Sequence, residues 1–347
     1  MSLPELSERE RRVLEAVIRS YVETAEPAGS RTLSRRFGLG VSPATIRNTM
    51  SDLEEKGFLF HPHTSAGRIP TDKAYRVYVD SLIRLSPVVT PESERLAEEL
   101  ALGGSAIETI LRRAAQTLGV ITQELGVALG PRLDRAILQR LELVRLSSER
   151  VLLVLTLPGG GVRTIFVDVR GEIADSALAE VCAVLNERLA GLALSEVRAT
   201  LAERLRGSST AAHATELLNI FVQEGEQLFD GALPLDEESV VLGHASLLAE
   251  QPEFASRESM RRLMALTDTR RHLAEVLRRR SDGAGLSITI GNEHADPTLE
   301  GFTVVTAEYR AGALTGVIGV IGPTRMPYDK VISLVNHTSR LVTDLLD

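Results

Sequence analysis

In the stretch SPATIRNTMSDLEEKGFL, Ser42 to Leu59, an arginine and an asparagine stand side by side at positions 47 and 48. A guanidinium carries a fork of N–H donors that matches O6 and N7 of guanine, and a carboxamide matches N6 and N7 of adenine. Arg47 and Asn48 are therefore the candidates for reading base edges. Ser42 and Thr45, with Arg31 and Arg35 upstream, have the hydroxyls and charges suited to phosphate oxygens. His63, Thr64, Ser65 and Arg68 follow and line the wing. From Pro27 to Ser51 the chain holds four arginines and no acid, whereas Asp52, Glu54 and Glu55 come directly after. The competing reading is a solvated arginine-rich face on a three-helix protein-interaction module.

Such contacts need a rigid frame. Ser7 and Glu10 form a capping box, and Val13, Leu14, Val17, Ile18, Tyr21 and Val22 recur at helical spacing, so a first helix is expected from about Glu8 to Glu23. Glu26-Pro27-Ala28-Gly29 is a turn, Ser30 caps a short second helix, and Gly38 stops it. Ser42 then caps a third helix with Pro43 in its first turn. Ile46, Met50 and Leu53 fall at i, i+4 and i+7 and face a core. Ala44, Asn48, Ser51 and Glu55 point the other way, flanked by Thr45, Arg47 and Asp52. Phe58–His61 and Arg68–Pro70 are strand-like around a loop. Three helices and a two-stranded wing outline a winged helix-turn-helix, whose third helix enters the major groove.

The runs EPAGSRTL, SPATIRNTMSDLEEKGFL and HPHTSAGRIPTDKAYRVYVD resemble the N-terminal domain of HrcA-type heat-inducible transcription repressors. GVIGVIGPTRMPYDKVISLVNH resembles the C-terminal signature of the same family. Two departures stand out: Ala28 where the family has valine, and Thr49 where it has an acid. Removing an acid beside Arg47 and Asn48 does not oppose DNA binding. The resemblance implies a homodimer that binds double-stranded DNA at an inverted-repeat operator, the CIRCE element, upstream of chaperone operons. It also implies modulation by a GroEL-type chaperonin and a GAF-like domain with an inserted dimerising domain. No cofactor is implied.

The composition agrees with a soluble, cytoplasmic regulator. The 347 residues allow two or three cores, the net charge is −8, and one cysteine rules out an internal disulfide framework. Met1 to Arg84 carries 13 Lys/Arg against 11 Asp/Glu, so the basic surplus is local and the remainder is acidic. No apolar run reaches bilayer length, and the N-terminus has no signal-peptide core. Ser86-Pro87-Val88-Val89-Thr90-Pro91 is the clearest linker. Two helices are expected in Glu92–Leu125, then strands at Ile137–Leu146, Val151–Leu157 and Val162–Val169. Ala174–Asp230 and Arg257–Arg280 are helical, strands return in Leu286–Ile321, and a helix closes the chain. The expected α+β organisation is a winged-helix domain at 1–86, a GAF-like domain at 87–171 and 284–347, and a mostly helical dimerisation domain inserted at 172–283.

Other motifs carry less. Gly159-Gly160-Gly161 lacks the Lys-Ser/Thr of a phosphate loop and reads as a hairpin turn. The glycines of Gly316–Gly322 lie in strand sequence and mark close packing rather than a dinucleotide fingerprint. His61 and His63 have no third ligand nearby, so no metal is expected. Arg278-Arg279-Arg280 suits a helix C-terminus. Asn292, Glu293 and His294, after the strand SITI, are a candidate rim for a small-molecule site, the alternative function for the central domain. No nucleophile elbow, Walker motif or zincin helix is present, so no enzymatic activity is expected.

Overall fold

The computed structural model describes residues 6–62, 67–83, 91–101, 107–157, 161–169, 171, 173–208, 212–232, 239–268, 270–281 and 285–346. At the N-terminus, α1 (Glu8–Thr24), α2 (Ser30–Arg36) and α3 (Pro43–Glu55) precede β1 (Leu59–Phe60) and β2 (Ile69–Pro70), which pair antiparallel. Helix α4 (Asp72–Ile83) follows. The Ser7–Glu10 capping box is present in both directions, and Ala25 ends α1 in the left-handed region. Ser30 is the first helical residue of α2 rather than its cap, which is Gly29 without a side-chain bond. The proline-bounded linker lies outside the described residues apart from Pro91.

Helices α5 (Pro91–Ala101) and α6 (Ile107–Thr122) lead into β3 (Leu125–Leu129), a strand the sequence reading did not anticipate. All five of its residues are buried, so it lacks the alternation by which a strand is recognised. Strands β4 (Arg140–Arg145), β5 (Arg150–Thr156) and β6 (Val162–Asp168) form an antiparallel sheet. Helices α7 (Asp175–Leu189), α8 (Leu194–Leu205) and α9 (Ala212–Ala232) pack on one face of that sheet. The chain returns through β7 (Val240–Leu242), α10 (Ser246–Ala249), α11 (Arg257–Asp268) and α12 (Arg270–Ser281). Strands β8 (Leu286–Ile290), β9 (Phe302–Ala311) and β10 (Leu314–Pro323) and helix α13 (Tyr328–Leu346) complete it.

Five strands in the order β7-β3-β10-β9-β8, all antiparallel, make the second sheet. Its strands alternate sides: Val305, Ala307 and Ile318 face α5, α6 and α13, while Val304, Val317 and Ile321 face α11 and α12. The glycines of β10 pack as the sequence suggested. A β-carbon at Gly319 would stand 2.0 Å from the carbonyl oxygen of Val305.

Strands before and after the helical block join one sheet only through β3; the expected strands β4–β6 form a sheet of their own, and the expected insertion limits of 172–283 do not match the packing. One apolar core runs from Ala136 to Phe229 and unites β4–β6 with α7–α9. Helices α11 and α12, which the expected insertion contained, cover the five-stranded sheet instead. The chain leaves and re-enters that sheet at adjacent points, where Gly130 N–H donates to Ser239 O at 2.8 Å and Leu129 pairs with Val240. Alternation reveals a strand without naming its partner, because pairing is set by contacts distant in sequence.

Candidate nucleic-acid interface

Helix α3 is fixed from both ends. Thr45 N–H donates to Ser42 Oγ at 3.1 Å, and the two hydroxyls lie 2.9 Å apart. At the other end Gly57 adopts φ +76°, where a β-carbon would be strained, and the chain turns into β1. Ile46, Met50 and Leu53 are buried, as their spacing requires. Thr49 is buried with them, and its hydroxyl donates to Thr45 O at 3.1 Å.

Lys56, the C-cap of α3, donates to Glu10 Oε1 on α1 at 2.6 Å. The Glu10 carboxylate is buried and also accepts from the Ser7 backbone. The Lys56 bond first, and the Ser7 bond second, hold its pKa down to about 2. This pair locks α3 against α1.

The opposite surface of α3 is open. Ser42, Pro43, Ala44, Arg47 and Asn48 are exposed, Thr45 is half-buried, and no acid lies in the first turn. Arg31 and Arg35 are exposed on α2, which packs directly on α3. Among the described residues Arg31, Arg35 and Arg47 have no carboxylate partner, whereas Arg36 pairs with Glu23. Three free cations, a helix N-terminus and an amide thus share one surface.

Arg68 is used differently from its expected part as a wing residue on the DNA. Its side chain is 17% exposed and pairs with Glu54 at 2.8 Å, and its backbone exchanges two 2.9 Å bonds with Ala28. It anchors the ribbon to the end of α3 instead of presenting a free charge. The close approach beside it requires glycine: a β-carbon on Gly67 would meet Ala28 O at 2.3 Å. His63, Thr64 and Ser65 lie outside the described residues.

Helix α4 joins this unit to the five-stranded sheet. Arg76 grips Glu293 with Nε (2.6 Å to Oε1) and Nη2, and Nη2 also donates to Ile288 O at 2.8 Å. Asn292 N–H donates to Asp72 at 2.9 Å, and the Tyr75 and Tyr328 rings lie 5.6 Å apart. Arg325 donates to Val22 O on α1 at 2.8 Å and binds Glu253 through a second fork. The expected small-molecule rim is therefore partly spent on docking, since Glu293 and the Asn292 backbone hold α4. Sequence reasoning missed these contacts because their partners are far apart in the chain, 72 residues for Arg325–Glu253 and more than 200 for the others.

A family model described as "HrcA protein C terminal domain" matches residues 108–332. The chain belongs to the HrcA family. A heat-inducible transcription repressor HrcA of Chlorobium phaeobacteroides (strain BS1) is 40% identical over 97% of both chains. Its counterpart in Geobacter sulfurreducens is 38% identical over 99% of both. The HrcA relatives are named as repressors, a regulatory role and not an enzymatic one. A crystal structure titled as a hypothetical protein shares the fold, with a TM-score of 0.62 at 23% identity over 98% of this chain and all of that one. No described helix is long and apolar enough to cross a membrane.

Proposed function

We propose that the chain is a cytoplasmic, sequence-specific repressor of heat-shock genes that binds an inverted-repeat operator of the CIRCE type as a homodimer. The observation that carries the reading is the exposed, acid-free half of α3, with Arg47 and Asn48 on its surface and Arg31 and Arg35 beside it. Residues 6–83 act as a winged helix-turn-helix: α3 reads the major groove, and Ser42, Thr45, Arg31 and Arg35 bind phosphates. His63, Thr64 and Ser65 are assigned to the wing, with Arg68 as its anchor. The five-stranded unit is the GAF-like domain, and residues 131–238 are the inserted dimerisation domain.

The dimer is supported by the outer face of β4–β6. Val144, Leu152 and Phe166 form one cross-strand row there, with Val154 and Val162 beside it. Phe166 is 60% exposed and Val162 53%. An apolar row open to water, bordered by the Arg140–Glu142 and Arg150–Asp168 pairs, suits a two-fold partner, and two recognition helices then meet two half-sites. Family membership adds the GroEL-type chaperonin as the partner that keeps the repressor active until unfolded clients occupy it.

A gel shift with an inverted-repeat operator, with and without purified chaperonin, tests the reading. The expected result is a dimer-sized complex on the operator and none on a scrambled duplex, with the active fraction raised by chaperonin. Equal binding to both duplexes would contradict it.

A further inference from the structure

Arg280 lies in the last turn of α12 but does not turn back to its own helix. It reaches across β8 and β9, where Nη1 donates to Ser287 Oγ at 3.4 Å and Val304 O at 3.3 Å. Nη2 donates to Thr289 Oγ1 at 2.5 Å. Thr306, buried on β9, sends its hydroxyl toward Ser287 O at 3.5 Å. Among the described residues every partner of this half-buried guanidinium is neutral, and no carboxylate pairs with it.

Among the described residues the neighbouring acids are committed elsewhere. Glu293 is held by Arg76, and Asp296 pairs with His272 and accepts from Thr298. His294 contacts Phe302 O at 3.2 Å, and burial together with Arg280 lowers its pKa. Burial also brings the guanidinium of Arg280 down to about 10.

Two other half-buried arginines show how this region usually treats the group. Arg76 and Arg325 each direct Nε–H and an Nη2 N–H, the side-on fork, at both oxygens of a glutamate. In Arg280 the three bonds to protein use both Nη1 hydrogens and one of Nη2. By count, Nε–H and one Nη2 N–H are left over, the donors of the same fork. Removing a guanidinium from water costs stability that hydroxyls and one carbonyl offset only in part, and a bidentate anion is the partner that completes it.

We infer that Arg280, with Ser287 and Thr289, forms a binding site for a small anion bearing a carboxylate or phosphoryl group. Arg280 binds two oxygens side-on and the β8 hydroxyls take the rest. Ser287 and Thr289 lie on β8, whose Ile288 carbonyl accepts from Arg76, so a ligand there shares a strand with the docking point of α4.

Thermal unfolding of the full-length protein tests this with no DNA present, so its outcome is independent of the repressor reading. Inorganic phosphate and succinate are compared with chloride at matched ionic strength. At saturation the wild type should gain about 2–4 °C over chloride in at least one of the two anions. A gain with phosphate alone assigns a phosphoryl group, and a gain with succinate alone assigns a carboxylate. Arg280→Leu should unfold no earlier than wild type in chloride and lose the gain. Thr289→Val, which keeps the arginine, should reduce it. No gain for the wild type in either anion, an equal gain in Arg280→Leu, or earlier unfolding of Arg280→Leu in chloride would overturn the assignment.

Discussion

Two regions of this chain are rich in arginine, and they spend it in opposite ways. Pro27–Ser51 holds four arginines and no acid, and three of the four stand exposed without a carboxylate partner among the described residues. Arg257–Ser281 holds eight arginines, but Glu258, Asp268 and Glu275 are interleaved. There Arg279 pairs with Glu275 at 2.7 Å, and Arg280 turns inward onto the five-stranded sheet. Arginine density therefore says little about nucleic acid. The useful signal is arginine on a face from which acids are missing, because an internal partner satisfies the fork that a phosphate or base would take.

The contrast can be broken or sharpened by substitution. The largest effect is expected from outside both regions. Phe166→Glu places a charge on the open sheet face, should convert dimer to monomer in light scattering, and should weaken operator binding by about 10²-fold or more through lost bivalence. Arg47→Ala should cost about 1–3 kcal/mol of operator affinity and relax selectivity at one base position. Arg35→Ala should weaken specific and random DNA alike and reduce the salt slope by about one. The matched change in the second region, Arg279→Ala, should leave affinity and slope unchanged. Equal losses from Arg35→Ala and Arg279→Ala in anisotropy titrations would abolish the distinction.

The smallest effect is on pH. Glu10 is held well below its ordinary value by Lys56, so its contribution to stability is fully present above about pH 4.5 and is lost as pH falls toward 2. Glu10→Gln should flatten the denaturation midpoint across that window. Buried Glu124 behaves in the opposite sense. Burial raises its pKa, so it favours the folded state at low pH and ceases to do so as pH rises through the raised value. Glu124→Gln should therefore retain stability on the alkaline side, where the wild type loses it.

How legible these features were depended on the range of the interactions behind them. Helix α3 was readable because Ser42, Pro43, Ile46, Met50, Leu53 and Gly57 are all local signals, and each acts within one helix. Exposure of Arg47 and Asn48 followed from helical rotation alone. Arg68 could not be placed, since its partners Glu54 and Ala28 are 14 and 40 residues away, across a turn. The insertion limits failed for the same reason on a larger scale, because Leu129 and Val240 meet across 111 residues. Strand β3 was hidden by burial on both faces. The spare fork on Arg280 is visible only when the neighbouring acids are seen to be engaged.

The central claim is that the acid-free half of α3 reads bases in two symmetric major-groove sites. Methylation-interference footprinting of guanine N7 on an inverted-repeat operator tests it most directly. The wild type should show interference at symmetric guanines in both half-sites, and Arg47→Ala should lose it at one guanine of each half while keeping the rest. Interference that is absent, confined to one half, or unchanged in Arg47→Ala would contradict the account.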